Sequence, residues 1–174
     1  AEKMTGDLGV SVIVENKPGA SSIIGTDYVA KSAPDGYTLL ITNSAITINP
    51  SLFKLPFDTQ KLTPVTKIAS APQLLVATTG APFKNLKEML AYAKANPGKL
   101  NLGSSGLGST PHLSGELLQM MTGTKFIHIP YKGGGPAMSA LMAGEIDLLF
   151  VVTQAGKPHV DVGRLRALGV ASPE

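Results

Sequence analysis

The 174-residue sequence contains no cysteine, no tryptophan and few charged side chains, which make up 16% of the chain. Without cysteine it has neither disulfides nor thiolate metal ligands. No apolar run approaches the roughly 18 residues that cross a bilayer, and no basic stretch precedes a short apolar one as in a secretory signal peptide. The 15 lysines and arginines are scattered, with a net charge of +3. Nucleic-acid binding needs a concentrated basic face, so we expect no nucleic-acid partner.

Glycine and proline are abundant, with 19 and 13 residues, and they imply many short, sharply turned connections. Hydrophobic residues make up 43% of the chain, enough for a packed core in one domain or two small ones. Apolar runs alternate with polar loops and helical patterns, which predicts an α/β fold with mainly parallel strands. The predicted strands cover residues 10–14, 37–42, 65–69, 73–78, 100–103, 126–129, 146–152 and 165–170.

Capping patterns predict where several helices begin and end. Asn85 with a glutamate three residues later forms a capping-box pattern. Pro111 fits the first position of another helix, whose residues Leu117 and Met121 belong to its predicted buried face. The chain opens on what reads as the last turn of a helix ended by Gly6, and we interpret the chain as a fragment of a longer protein.

Polar, glycine-rich loops follow four of the predicted strands, at residues 16–22, 43–49, 103–110 and 131–135. In parallel sheets, ligands lie beyond the carboxyl ends of the strands. Four loops of one chemical character at equivalent positions therefore predict one shared cleft.

The segment 101–115 is the richest of these regions, with four glycines, four serines and one threonine before a predicted helix. Glycine lets a backbone approach a ligand closely, and the free N–H groups at a helix start favour an anion. The segment therefore predicts a pocket for a carboxylate or phosphate. An ordinary tight turn followed by a helix cap is the alternative that the residues leave open.

Three patterns of catalytic or nucleotide-binding loops fail in this segment. A Walker A loop needs lysine where Ser109 stands, and the dinucleotide pattern needs glycine where Pro111 stands. Neither Ser104 nor Ser105 lies in the G-x-S-x-G frame of a nucleophile elbow.

The three histidines show no metal-ligand spacing, and no acidic cluster accompanies them. His112 is expected to hydrogen-bond locally and to shape the loop, and His128 to be a hydrogen-bonded core histidine. Because activated nucleophiles and bases are missing, the residues favour binding over reaction. We expect no catalytic residue, no metal and no cofactor.

Longer motifs are distributed along nearly all of the chain and together are highly specific. They are NKPGA at 16–20, AKSAPDGYTLL at 30–40, INP at 48–50, AYAKANPGKLN at 91–101, the loop 103–110 with His112, and HIPYKG at 128–133. The chain resembles the Bug-type extracytoplasmic receptors of the tripartite tricarboxylate transporter system.

The resemblance implies a type II-like periplasmic binding protein with two α/β domains, at residues 1–68 and 69–174, the first of them incomplete. It implies a receptor rather than an enzyme, which captures a small carboxylate between the domains and presents it to membrane permease subunits. It further implies a periplasmic protein that is a monomer at full length. In this family loop amides, hydroxyls and bridging waters hold the ligand, and the matching positions are Ser104, Ser105, Gly106, Ser109, Thr110, Tyr131, Lys132, Gly133, Asn43 and Ser44.

The chain also departs from the family pattern. The family's first strand and its Pro-Gly-Gly loop would precede Ala1, and Val151-Val152-Thr153 stands where relatives often carry an aspartate that contacts amino groups. The departure at 151–153 makes an amino-acid ligand less favoured. Two alternative functions stay open: a hydrolase or transferase that uses Ser104 or Ser105, and a module that recruits a membrane sensor.

Overall fold

The structure is a computed structural model, which describes residues 1–172. Five strands form one sheet with helices on both faces, and all five strands lie in residues 73–172. We call residues 73–172 the sheet part and residues 1–72 the N-terminal part. The helices are α1 Glu2–Leu8, α2 Ile23–Ala30, α3 Ala45–Leu52, α4 Leu86–Ala95, α5 Thr110–Thr122, α6 Gly134–Ala143 and α7 Thr153–Asp161. The strands are β1 Gln73–Thr78, β2 Asn101–Ser104, β3 Ile127–Pro130, β4 Leu148–Val152 and β5 Leu165–Ala171.

The sheet has the strand order β3-β2-β4-β1-β5. Strand β2 pairs in parallel with β3 and β4, whereas β1 is antiparallel to both β4 and β5. Four of the five strands therefore share one direction and β1 opposes them. The expectation of an α/β fold with mainly parallel strands is confirmed.

Both faces of the sheet are covered, which explains why its central strands are continuous apolar runs rather than alternating ones. Successive residues of β1 and β4 enter two different core clusters because side chains alternate across a sheet. Helices α6 and α7 pack on one face and α4 and α5 on the other. The first cluster contains Leu74, Val76, Leu149 and Val151, and the second contains Leu75, Ala77, Leu148 and Phe150.

The three strands predicted in the N-terminal part, at 10–14, 37–42 and 65–69, are wrong: these residues form neither helix nor strand. Their apolar side chains are exposed, with Ile13 at 84% and Val65 at 82%. A strand needs a hydrogen-bonded neighbour as well as an apolar sequence. No neighbour pairs with these segments among residues 1–172, since every ladder lies in the sheet part.

No helix is predicted from the sequence over residues 153–161, where Gly156 and Pro158 disfavour one, but α7 forms there. Packing against the sheet overrides that preference. A Cβ at Gly156 would lie 2.8 Å from Val151 Cγ1, so the glycine allows the helix to approach the sheet closely. Helix α1, in turn, ends at Gly9 with φ of 66°, three residues beyond the predicted terminator Gly6.

The predicted buried face of α5 is largely exposed, with Leu117 at 50% and Met121 at 75%. Its one buried residue among those described is Gly115, where a Cβ would stand 2.2 Å from Leu102 Cδ2. The helix therefore meets the sheet most closely through a small residue, while Leu118 of the same helix packs against the second core cluster and Leu117 and Met121 stay largely exposed.

Candidate functional site

The four polar loops predicted to share one cleft do come together. Their contacts centre on residues 104–110, which we call the glycine-rich loop. It is bonded to the turn 19–22, to the loop 43–49 and to residues 131–133. The loops of the N-terminal part thus reach the carboxyl ends of β2 and β3 in the sheet part.

Ser104 is the first residue of the glycine-rich loop, and its side chain is fully buried beneath the rest of the loop. Its Oγ is 2.6 Å from His128 Nε2 and accepts a hydrogen bond from the Gly106 amide at 3.1 Å. The Ser104 carbonyl also accepts from the Tyr131 amide at 3.0 Å. Because the Ser104 side chain is fully buried and bonded to both His128 and Gly106, it stabilises the conformation of the loop.

His112, in the first turn of α5, ties the loop to the helix. Its Nδ1 accepts from the Gly108 amide at 3.1 Å, so the expectation that His112 shapes the loop by a local hydrogen bond is confirmed. The imidazole rings of His112 and His128 are stacked with their centres 4.1 Å apart. Burial, and secondarily the charge of His112, lowers the pKa of His128, while Glu116 partly opposes the shift.

Ser44 and Thr110 join the loop 43–49 directly to the start of α5. Their hydroxyl oxygens are 2.8 Å apart. Asn43 lies two residues before α3, and its Oδ1 accepts from the Ala45 amide at 2.9 Å. Ser44 and Thr110 therefore lie together, whereas the side-chain oxygen of Asn43 is occupied by the Ala45 amide.

Two glycines let the loops approach each other. At Gly106, with φ of 128°, a Cβ would lie 3.5 Å from Ser21 Oγ and 3.6 Å from the Tyr131 carbonyl. At Gly108, with φ of 72°, it would lie 2.7 Å from Leu52 Cδ1. At Gly106 the left-handed backbone alone favours glycine, since a Cβ would make only ordinary contacts, whereas Gly108 combines left-handed backbone with a close neighbour.

The remaining predicted residues lie at the edges of this arrangement. Ser105 is half-buried and its hydroxyl has no partner in the part of the chain that the structure describes. Ser109 Oγ donates to the Gly106 carbonyl at 2.6 Å. Tyr131 packs against the core, whereas Lys132 is exposed just before Gly133 and the start of α6.

The side chains assembled here are hydroxyls, amides and imidazoles, with exposed Lys132 as the cation that follows β3. Across residues 1–172 no group of three histidines or carboxylates is placed to hold a metal ion. A cavity of about 400 Å³ lies elsewhere, between the end of α2 and residues 55–62. Its lysines, Lys31 and Lys61, are exposed and solvated.

The sequence matches the model of the tripartite tricarboxylate transporter family receptor over residues 1–174. The chain belongs to this receptor family. It is 40% identical over 169 residues to a UPF0065 protein of Bordetella pertussis, an alignment that covers 96% of the chain and 52% of the relative. The chain thus spans about half the length of the curated relatives it matches.

Two solved structures of similar proteins are described with a small dicarboxylate. The Rhodopseudomonas palustris protein Rpa4515, with adipate, has a TM-score of 0.95 and 35% identity, and the match covers the whole chain and 59% of Rpa4515. MatC of the same organism, with bound malate, has a TM-score of 0.88 and 30% identity, over 99% of the chain and 60% of MatC. Each of these two similar proteins is thus described with a small dicarboxylate.

Sequence reasoning missed Ser21 and Asn49. The Ser21 hydroxyl donates to the Leu107 carbonyl, and Asn49 Nδ2 donates to the Ser21 carbonyl at 2.9 Å. These partners are 86 and 28 residues apart in the sequence. The signal available was the INP motif at 48–50, which marks Asn49 without showing what it contacts.

Proposed function

We propose that this chain is the carboxylate-binding portion of a periplasmic solute receptor. The ligand binds where the glycine-rich loop meets the loops of the N-terminal part. The observation that carries the proposal is the convergence of four loops rich in hydroxyls and amides on the first turn of α5, as shown by the Ser44–Thr110 contact.

The chemistry of these loops suits an anion. Free amides at a helix start carry a partial positive charge, and α5 begins at Thr110 inside the glycine-rich loop. Ser105 offers an unpaired hydroxyl, and α6 begins directly after Gly133. We therefore propose Ser105, Gly106, Ser109, Thr110 and Gly133 as the groups that hold the carboxylate.

Lys132, Asn43 and Ser44 complete the proposed set at its edges. Lys132 is exposed and contributes long-range attraction, which solvent screens. Ser104 and the Tyr131 backbone keep the loop in place from below. Small dicarboxylates are the proposed ligand class, supported by the adipate and malate of the two similar structures.

Thr153 supports a ligand without an amino group. Its backbone amide and hydroxyl both bond to the Pro72 carbonyl, at 3.2 and 3.0 Å. No carboxylate stands at positions 151–153 to pair with an ammonium group. An α-amino acid would therefore lack the charged partner that an aspartate at this position would give its ammonium group.

We also propose how the chain is divided into domains and which partners it has. Residues 63–72 form neither helix nor strand, which suits a crossover between a domain at 1–68 and another at 69–174. We propose that the full-length receptor is a periplasmic monomer that delivers its ligand to membrane permease subunits. Recruitment of a membrane sensor is the alternative partner. Within residues 1–172 no helix is long and apolar enough to cross a membrane.

The Ser104–His128 contact favours a second candidate, a serine hydrolase or transferase. The geometry of Ser104 argues against it, because the side chain is fully buried and its Oγ is shared with the Gly106 backbone. A nucleophile must reach the substrate, and Ser104 does not.

Titration calorimetry with adipate, malate and an uncharged ester of each tests the proposal. We expect heat of binding with the diacids and none with the esters, because anion recognition requires the carboxylates. The Ser105→Ala variant should weaken diacid binding, while Ser139→Ala, on the exposed side of α6, should not. No binding of any diacid would contradict the receptor function, and ester turnover lost in Ser105→Ala would favour the hydrolase.

A further inference from the structure

The turn 19–22 has strained backbone geometry. Ala20, Ser21 and Ser22 have φ values of 44°, 52° and 70°, and no other non-glycine residue of the described chain has a positive φ. Left-handed backbone is unfavourable for residues with a Cβ. Such strain persists where surrounding structure holds the segment in place, and it is concentrated at functional sites.

Two hydrogen bonds join this turn to α3 and to the glycine-rich loop, and both involve Ser21. Its carbonyl accepts from Asn49 Nδ2 at 2.9 Å, and its hydroxyl donates to the Leu107 carbonyl. Asn49 is 3% exposed on α3, so it forms a fixed support within the N-terminal part. Leu107 belongs to the glycine-rich loop, so the hydroxyl bond crosses to the sheet part.

We propose that Ser21 is a positioning residue for the carboxylate site: its hydroxyl fastens the turn 19–22 to the glycine-rich loop and so sets the separation of the N-terminal part and the sheet part. The proposal rests on the function proposed above. Affinity for the ligand then depends on the Ser21 side chain, although this side chain contacts Leu107 and not the ligand. The strained turn serves to place the Ser21 hydroxyl against the glycine-rich loop.

Few of the described hydrogen bonds cross this boundary, and two of them join Thr153 to the Pro72 carbonyl at its edge, away from the glycine-rich loop. Besides Ser21–Leu107, the Ser44–Thr110 pair joins the glycine-rich loop to the N-terminal part, and Leu52 packs on Gly108. Because both hydrogen bonds join protein atoms, they hold the N-terminal part against the glycine-rich loop whatever ligand is present. Loss of one hydrogen bond should weaken ligand binding by about threefold to tenfold.

The neighbouring Ser22 offers a matched control. It has the same left-handed conformation, and its side chain makes no capping hydrogen bond. Ser21→Gly and Ser22→Gly each remove one hydroxymethyl group and relieve backbone strain at one residue. They differ in that only Ser21→Gly removes the bond to Leu107.

The experiment measures separation and affinity in the same variants. Since the chain has no cysteine, Lys54→Cys and Lys125→Cys place one spin label on an exposed residue of each part. Pulsed electron resonance then gives the distance between labels in the full chain without ligand. Calorimetry with adipate gives the affinity, and circular dichroism verifies that each variant folds.

We expect Ser21→Gly to lengthen or broaden the distance distribution and to weaken adipate binding by about threefold to tenfold, while Ser22→Gly matches the parent protein in both. Identical behaviour of the two variants would overturn the proposal, as would weaker binding in Ser21→Gly with an unchanged distance distribution. If the parent protein bound neither adipate nor malate, the function proposed above would fail and with it the link to affinity. The distance comparison would still decide whether Ser21 fastens the two parts.

Discussion

The Ser104 hydroxyl oxygen lies 2.6 Å from Nε2 of His128, directly beneath the glycine-rich loop. His128 stacks in turn on His112, whose Nδ1 accepts from the Gly108 amide. The loop therefore stands on a small polar cluster that joins β2, β3 and α5.

The first prediction concerns pH. Burial and the neighbouring His112 charge lower the pKa of His128 below its usual value, so the unfolded chain binds more protons than the folded one. The free energy of unfolding must then fall as the pH drops below about 6.5, where unfolded histidine titrates. Urea denaturation at pH 7.5 and pH 5.5 measures this loss, which His128→Gln should reduce.

His159→Gln is the control for this pH effect, since it replaces a histidine that lies in α7, outside the cluster. It should show the same pH dependence as the parent protein. If His128→Gln also left the pH dependence unchanged, the cluster would not be the source of acid sensitivity.

The second prediction concerns the contact between α5 and the sheet. Gly115→Ala places a Cβ 2.2 Å from Leu102 Cδ2, and such overpacking costs about 1–3 kcal/mol of unfolding free energy. Gly6→Ala also changes a helical glycine, but a Cβ there meets nothing within 4 Å. It should stabilise the protein by about 0.5–1 kcal/mol. Opposite signs in urea denaturation are expected, and equal effects would disprove the close packing.

The third prediction concerns Arg166 on β5, which supports the turn after β1. Its guanidinium donates to the carbonyls of Phe83 and Ala81, the latter at 3.3 Å. Arg166→Met leaves these carbonyls without their donor and should cost about 1–3 kcal/mol of unfolding free energy. Arg164→Met changes an exposed arginine two residues earlier and should leave the thermal unfolding midpoint nearly unchanged. A similar loss in both variants would contradict the role of Arg166.

The fourth prediction concerns Lys132 in the proposed site. Because its side chain is exposed, Lys132→Met should weaken adipate binding only a few-fold at low salt, and less as salt screens the charge. Lys125→Met removes an equally exposed cation before β3 and should have no effect. A loss that salt did not diminish would mean that Lys132 contacts the ligand directly.

Local signals in the sequence determined much of the sheet part. Asn85 Oδ1 accepts from the Glu88 amide at 2.9 Å, as the capping-box pattern predicts. Strands β1, β2, β4 and β5 fall within a residue or two of their predicted ranges. Each of these features depends on residues close together in the chain or on a continuous apolar run.

What the sequence did not reveal depends on long-range neighbours. The apolar segments 10–14 and 37–42 have the composition of strands, but composition does not supply a pairing partner. The Ser21–Leu107 bond joins residues 86 positions apart. The turn is left-handed at Ser21 and Ser22, and since serine rarely adopts this conformation, the sequence does not indicate it. The glycine-rich loop could be found from the sequence because its residues are consecutive in the chain. Its hydrogen bonds to the N-terminal part could not be found, because they join residues far apart in the sequence.

The most direct test of the proposed site follows backbone amide signals by nuclear magnetic resonance while adipate is added to the full chain. We predict the largest shifts at Ser105, Gly106, Ser109, Thr110 and Gly133, with smaller ones at the Ser104–His128 cluster beneath. Shifts confined to the cavity that Lys31 and Lys61 line, or no shifts at saturating adipate, would contradict the account.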